Sequence, residues 1–135
     1  MIAKGEGVRE LDRSGREILV VDDDHDQAHT FAALLTQLGH AAQYVTSPQA
    51  VVDIAKRIKP WLIFLDIGMP GASGWELAPV LKRELGHDTV RLVAVSGYGD
   101  PEHHQRSRQA GFDAHVQKPV DMVLLQSILA QMKSN

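Results

Sequence analysis

Four polar clusters stand directly behind apolar runs in this sequence. Asp22-Asp23-Asp24 follows Ile18-Leu19-Val20-Val21, and Asp66 follows Trp61-Leu62-Ile63-Phe64-Leu65. Ser96-Gly97 follows Leu92-Val93-Ala94-Val95, and Lys118-Pro119 closes Asp113-Ala114-His115-Val116-Gln117. Carboxylates gathered in one place raise one another's pKa and destabilise a fold. A divalent cation removes that conflict, and magnesium needs only a few carboxylates and a carbonyl, because it keeps several waters. Neither histidine nor cysteine ends these runs, which argues against zinc. A carboxylate placed between such a cation and a lysine ammonium can accept a phosphoryl group, since both cations neutralise the transferring oxygens. The set reads as a nucleophile (Asp66), metal ligands (Asp22, Asp23), a cation (Lys118) and a hydroxyl that hydrogen bonds to the arriving group (Ser96).

Such a site needs the four run ends side by side. The three strongest runs do not alternate with polar residues, which is the habit of parallel strands covered on both faces. Ala41–Val45 and Asp113–Gln117 are more polar and suit strands nearer the sheet edges. Helical stripes separate the runs. Ala28, Phe31, Ala32, Leu35 and Leu38 form one, ended by Gly39. Ser47-Pro48 opens the next, with Val51, Ile54, Ala55 and Ile58 before Pro60. Ser73-Gly74-Trp75-Glu76 has the form of a capping box ahead of Leu77, Val80, Leu81 and Leu85, and Pro79 is expected to kink or weaken that helix. Asp100-Pro101 starts a polar helix that Gly111 ends, and Asp121 caps a last one bearing Leu124, Leu125, Ile128, Leu129 and Met132. Strand and helix alternate five times, which right-handed crossovers wind into an α/β sandwich with helices on both faces of the sheet. Ligands of such sheets bind beyond the carboxyl ends of the strands, where the polar clusters stand.

Bulk properties exclude other classes. A chain of 135 residues suits one domain. A net charge of -3 does not point to nucleic acid or an anionic membrane as a direct partner. The absence of cysteine removes disulfides and thiolate metal sites and fits a reducing cytoplasm. No apolar run reaches the roughly 18 residues of a membrane span. Residues 1–15 are polar and glycine-containing and read as a flexible tail or linker, with the domain over 16–135.

The segments Ile18–Asp24 and Leu65–Gly74, with Ser96-Gly97 and Lys118-Pro119, resemble the receiver domain of two-component response regulators. The resemblance runs from Glu17 to Met132. It implies a flavodoxin-like sheet of order 2-1-3-4-5 and a histidine kinase or histidine phosphotransfer protein as donor. It implies that Asp66 becomes an aspartyl phosphate and that Asp23, Asp66 and the backbone carbonyl of Gly68 ligate Mg²⁺, with Asp22 acting mainly through water. It further implies that Lys118 pairs with Asp66 and then with the phosphoryl group, that the Lys118–Pro119 peptide is cis, and that the fourth helix, fifth strand and fifth helix form the signalling surface. The tract Gly111–Asp121 looks most like receivers attached to hybrid sensor kinases. A stand-alone shuttle and one segment of a larger kinase both remain open. Such a domain is no enzyme beyond its own phosphorylation and dephosphorylation.

The sequence departs from the family pattern at two places. Many receivers carry Tyr or Phe three residues before the lysine, as a rotamer switch coupled to the hydroxyl on strand four; here the residue is His115. Gly68 and Tyr98 occupy the positions whose side chains tune attack of water on the aspartyl phosphate, and Gly68 offers no side chain. Asp24 and Asp26 read as helix N-terminal residues outside the pocket. His25 and His29 are four apart, but no third ligand accompanies them. His103 and His104 read as solvated, Trp61 and Trp75 as packing, and the helix over Glu102–Ala110 as mobile, because it has few apolar anchors. Two other functions compete. A phosphohydrolase of the haloacid dehalogenase type would need an aspartate two residues after the nucleophile, where Gly68 stands. A flavin binder would need a Ser, Thr and Gly loop after strand one, where three aspartates stand.

Overall fold

The computed structural model describes residues 17–69, 73–97 and 101–134. The expected tail over residues 1–15 lies outside them, as do Tyr98 and Asp100. The strands are β1 (Ile18–Val21), β2 (Ala42–Val45), β3 (Leu62–Asp66), β4 (Arg91–Ser96) and β5 (Ala114–Gln117). The helices are α1 (His25–Gln37), α2 (Val51–Ile58), α3 (Gly74–Leu85), α4 (Pro101–Ala110) and α5 (Met122–Ser134). All strand pairs are parallel, in the order β2-β1-β3-β4-β5, so the expected sheet is present with its polar strands at the two edges.

The unbroken apolar runs still divide between two faces, because successive strand residues point to opposite sides. Leu19, Val21, Ile63, Leu65, Leu92 and Ala94 pack with Val51 and Ala55 of α2 and Ala78 and Leu81 of α3. Ile18, Val20, Leu62, Phe64, Val93 and Val95 pack with Ala28, Ala32 and Leu35 of α1 and Leu125, Ile128 and Met132 of α5. Each fully buried Val, Leu, Ile or Phe side chain contributes about 1.5–3 kcal/mol. Helices α1 and α5 thus cover one face and α2 and α3 the other, joined there by Ala110 of α4, which leaves the carboxyl ends of the strands for polar groups.

Helix ends follow local chemistry, with exceptions. Asp24 caps α1 by accepting from the Gln27 amide at 3.0 Å, and Asp121 caps α5 by accepting from the Leu124 amide at 2.8 Å. The capping box forms, with Ser73 Oγ accepting from Trp75 N and Glu76 Oε1 from Ser73 N. Gly39 and Gly111 adopt φ of +91° and +106°, which glycine takes at no steric cost. Ser47 does not cap: its hydroxyl goes to the Gln49 side chain, and Pro48–Ala50 forms a 3₁₀ turn ahead of α2. The last residue before Pro60 is also unexpected, since Lys59 ends α2 in the left-handed region at φ 51°. Helix α3 continues through Pro79. No helix among the described residues is long and apolar enough to cross a membrane.

Candidate functional site

At the carboxyl ends of β1 and β3, Asp22, just past its strand, and Asp66, the last residue of its strand, place two carboxylates in the interior. Asp22 and Asp66 are 6% and 7% exposed, while Asp23 faces solvent. Asp22 is oriented by the Asp24 amide, which donates to its Oδ1 at 2.9 Å. Asp24 itself turns to the α1 amides and stands outside the pocket, as its capping role requires. Asp66 Oδ1 accepts from the Gly68 amide at 2.8 Å. A Cβ on Gly68 would lie 3.5 Å from that oxygen, an ordinary contact, so glycine here leaves open space beside the carboxylate rather than relieving a clash.

Lys118 closes the site from β5. Its Nζ donates to Asp66 Oδ2 at 3.2 Å, to Asp22 Oδ2 at 3.3 Å and to Gln27 Oε1 at 2.9 Å. Its backbone amide donates to the Ser96 carbonyl at 2.8 Å, and the Lys118–Pro119 peptide is cis, as the resemblance implied. Ser96 ends β4, is 2% exposed, and pairs in register with Gln117. Asp22, Asp23, Asp66 and Lys118, from three separate strand ends, thus meet in one place, and Ser96 is tied to them through its backbone carbonyl. Beside them a cleft of about 560 Å³ opens between α1 and the Lys118–Val120 segment, floored by Phe31, Leu34 and Val95.

The electrostatics are those of an incompletely neutralised acid cluster. Oxygens of Asp22, Asp23 and Asp66 all lie within 4.8 Å of one another, three carboxylates to one ammonium. Burial pushes the Asp22 carboxyl above its usual value, and the charge of Asp66 adds to this; the Asp24 amide and Lys118 pull against it without cancelling it. Burial pulls Lys118 down, but the Asp66 and Asp22 carboxylates outweigh it and hold the ammonium above its usual value. Lys118 is therefore charged at neutral pH. A close, oxygen-only donor set that still carries excess negative charge fits a hard divalent cation.

His115 turns toward α4. Its Nδ1 lies 2.9 Å from Ser107 Oγ, and its ring stacks on His104 with centroids 4.1 Å apart and planes within 7°. His103 and His104 are half-buried, contrary to the expectation of solvation, because α4 is laid against Trp75 and β5 by polar and aromatic contacts rather than by an apolar stripe. Trp75 does more than pack, since its Nε1 donates to Ser107 Oγ at 3.0 Å. Gln27 and Ser107 escaped sequence reasoning, because neither carries a local motif and each acquires its partner only through tertiary packing. His25 and His29 stand parallel on α1 with Tyr44 edge-on to both, and the Tyr44 hydroxyl lies 3.0 Å from His25 Nε2.

Comparison with known proteins agrees with this geometry. Residues 18–130 match the family model for the response regulator receiver domain. The polar-differentiation response regulator DivK of Brucella ovis is 28% identical over 109 residues, covering 79% of this chain and 87% of DivK. The nitrogen assimilation regulatory protein NtrX of Azorhizobium caulinodans is 36% identical over 106 residues, 76% of this chain but only 23% of NtrX. A CheY-like receiver domain from Methylobacillus flagellatus superimposes with a TM-score of 0.75 at 30% identity, covering 87% of this chain and 98% of that one. The chemotaxis protein CheY4 of Vibrio cholerae, 18% identical, shares the fold with a TM-score of 0.80 over 86% of this chain and 97% of its own. With its sheet order, its acid cluster and a family match over most of its length, the chain belongs to the response regulator receiver domains, the phosphoacceptor switches of two-component signalling.

Proposed function

We propose that Asp66 is the phosphoacceptor and that its phosphoryl group comes from a phosphohistidine on a histidine kinase or histidine phosphotransfer protein. The observation that carries this reading is Lys118 Nζ bridging Asp66 and Asp22, with Asp23 beside them. A carboxylate oxygen of Asp66 attacks phosphorus, the P–N bond breaks, and its electron pair leaves on the imidazole nitrogen of the donor. Lys118 pairs with the carboxylate before transfer and with the phosphoryl oxygens after it. The Ser96 hydroxyl donates a hydrogen bond to one of those oxygens. Asp22, Asp23, Asp66 and the Gly68 carbonyl would hold Mg²⁺, which when bound neutralises charge on the phosphoryl oxygens. Asp22 has a further part: burial and the charge of Asp66 hold its carboxyl above the usual value, and a bound cation relieves both. The apolar cleft beside Lys118 accommodates the donor's surface. The aspartyl phosphate then changes what the domain binds, in the cytoplasm where such kinases present their phosphohistidines.

The test is label transfer from a ³²P-phosphohistidine phosphotransfer protein. Transfer to the chain in Mg²⁺, absent in EDTA and in Asp66→Asn, is expected. Undiminished labelling of Asp66→Asn would place the acceptor elsewhere.

A further inference from the structure

We propose that a hydrogen-bonded relay, Trp75–Ser107–His115, carries the phosphorylation state of Asp66 to helix α4. The inference rests on the reading of Asp66 as the acceptor. The relay starts at the backbone of that residue. A Cβ on Gly74 would meet Ile67 Cα at 2.8 Å and the Asp66 carbonyl oxygen at 2.9 Å, so the first turn of α3 is seated directly on the strand end. A shift of that strand end must displace Gly74 and the adjoining Trp75, because close-packed groups move together.

The Trp75 indole passes the displacement on. Its N–H can only donate, so Ser107 Oγ accepts from it at 3.0 Å and keeps its own hydrogen for a second partner. His115 Nδ1 lies 2.9 Å from the same oxygen. Ser107 is 1% exposed, so water does not readily replace either bond if the indole moves away. The Arg106 guanidinium lies 4.1 Å from the Trp75 ring centroid, a second tie between α3 and α4. From His115 the chain runs three residues to Lys118, which returns to Asp66. The contacts form a closed circuit around the phosphoryl site, with α4 attached at Ser107. This assigns a role to the histidine that stands where many receivers have Tyr or Phe: it receives a signal through α3 and α4.

The experiment uses the full chain carrying Trp61→Phe, so that Trp75 is the one tryptophan. It is treated with Mg²⁺ and acetyl phosphate. Intact mass reports phosphorylation, indole emission reports Trp75, and amide hydrogen exchange reports α4. On phosphorylation the parent is expected to change its emission and to exchange α4 amides roughly fivefold faster, the factor of one lost net hydrogen bond. Ser107→Ala and His115→Phe, checked as folded by circular dichroism, are expected to gain the same mass with no phosphorylation-dependent change in α4 exchange. Responses in both variants equal to the parent's would overturn the relay, as would a fully phosphorylated parent with unchanged exchange. A parent that gains no mass would instead overturn the acceptor reading beneath it.

Discussion

Replacing Lys118 with methionine removes the ammonium and keeps most of the apolar stem. Lys118 Nζ stands 3.2 Å from Asp66 and 3.3 Å from Asp22, so at an effective dielectric of about 20 each attraction is about 5 kcal/mol before desolvation. Breaking a fully buried pair from one side costs about 3–5 kcal/mol. The lysine side chain is 30% exposed, which discounts this to about 2–3 kcal/mol. The cost depends on pH. Asp22 already has a raised pKa in the fold, chiefly through burial, and losing Lys118 raises it further. The folded variant therefore binds protons more tightly than the unfolded chain. Its deficit is full above the raised carboxyl pKa and recedes as pH falls toward the ordinary carboxylate range. Mg²⁺ acts in the same direction by replacing the missing cation: the less neutralised pocket of the variant binds it more tightly than the parent's, and a tenfold tighter Kd narrows the deficit by about 1.4 kcal/mol in excess Mg²⁺. Thermal unfolding at neutral and mildly acidic pH, in Mg²⁺ and in EDTA, measures both effects. The expected result at neutral pH in EDTA is a Tm roughly 10 °C below the parent's, narrowing in acid and in Mg²⁺. A deficit of equal size under all four conditions would refute this account of the pocket.

Other substitutions probe the supports. Gly74→Ala drives a Cβ into the Ile67 and Asp66 backbone and is expected to cost about 1–3 kcal/mol in urea unfolding, with slower phosphorylation of the folded protein. Asp113 accepts from Lys82 Nζ at 3.1 Å and from the Leu92 amide at 2.7 Å, and Lys82 is almost fully buried. Asp113→Ala therefore leaves a buried ammonium with the Val90 and His87 carbonyls but no counter-charge and is expected to cost about 3 kcal/mol, whereas Lys82→Met is milder because Arg91 and the Leu92 amide still face Asp113. Equal losses by thermal unfolding would contradict that asymmetry. Asp24→Ala removes the α1 cap at a cost of about 1 kcal/mol and frees the amide that orients Asp22, so Mg²⁺ affinity by titration calorimetry should fall with it.

The sheet was legible because parallel strands covered on both faces need continuous apolar runs, and each such run here ends in a polar residue that the fold gathers at one edge. Asp22, Asp66, Ser96 and Lys118 could be named because their neighbours in sequence fix where they stand. Gln27 could not. It looks like any first-turn glutamine, and its bond to Lys118 spans the molecule. Lys82 gave no sign of burial, because its ammonium is satisfied by the carbonyls of His87 and Val90 in the irregular segment after α3 and by Asp113, which comes near only when the fold closes. The anchoring of α4 was hidden for a related reason. Periodicity detects apolar stripes, and this helix is held by a buried serine, a stacked histidine and an arginine over an indole.

The central claim is that Asp66 takes a phosphoryl group from a P–N donor under the control of the acid cluster and Lys118. Phosphoramidate presents that bond without a protein. Intact mass after incubation with phosphoramidate and Mg²⁺ tests the claim most directly. The account predicts one added phosphoryl group, located by peptide mapping at Asp66 and missing in Asp66→Asn and in EDTA. Folded protein of unchanged mass, or an adduct that persists in Asp66→Asn, would contradict it.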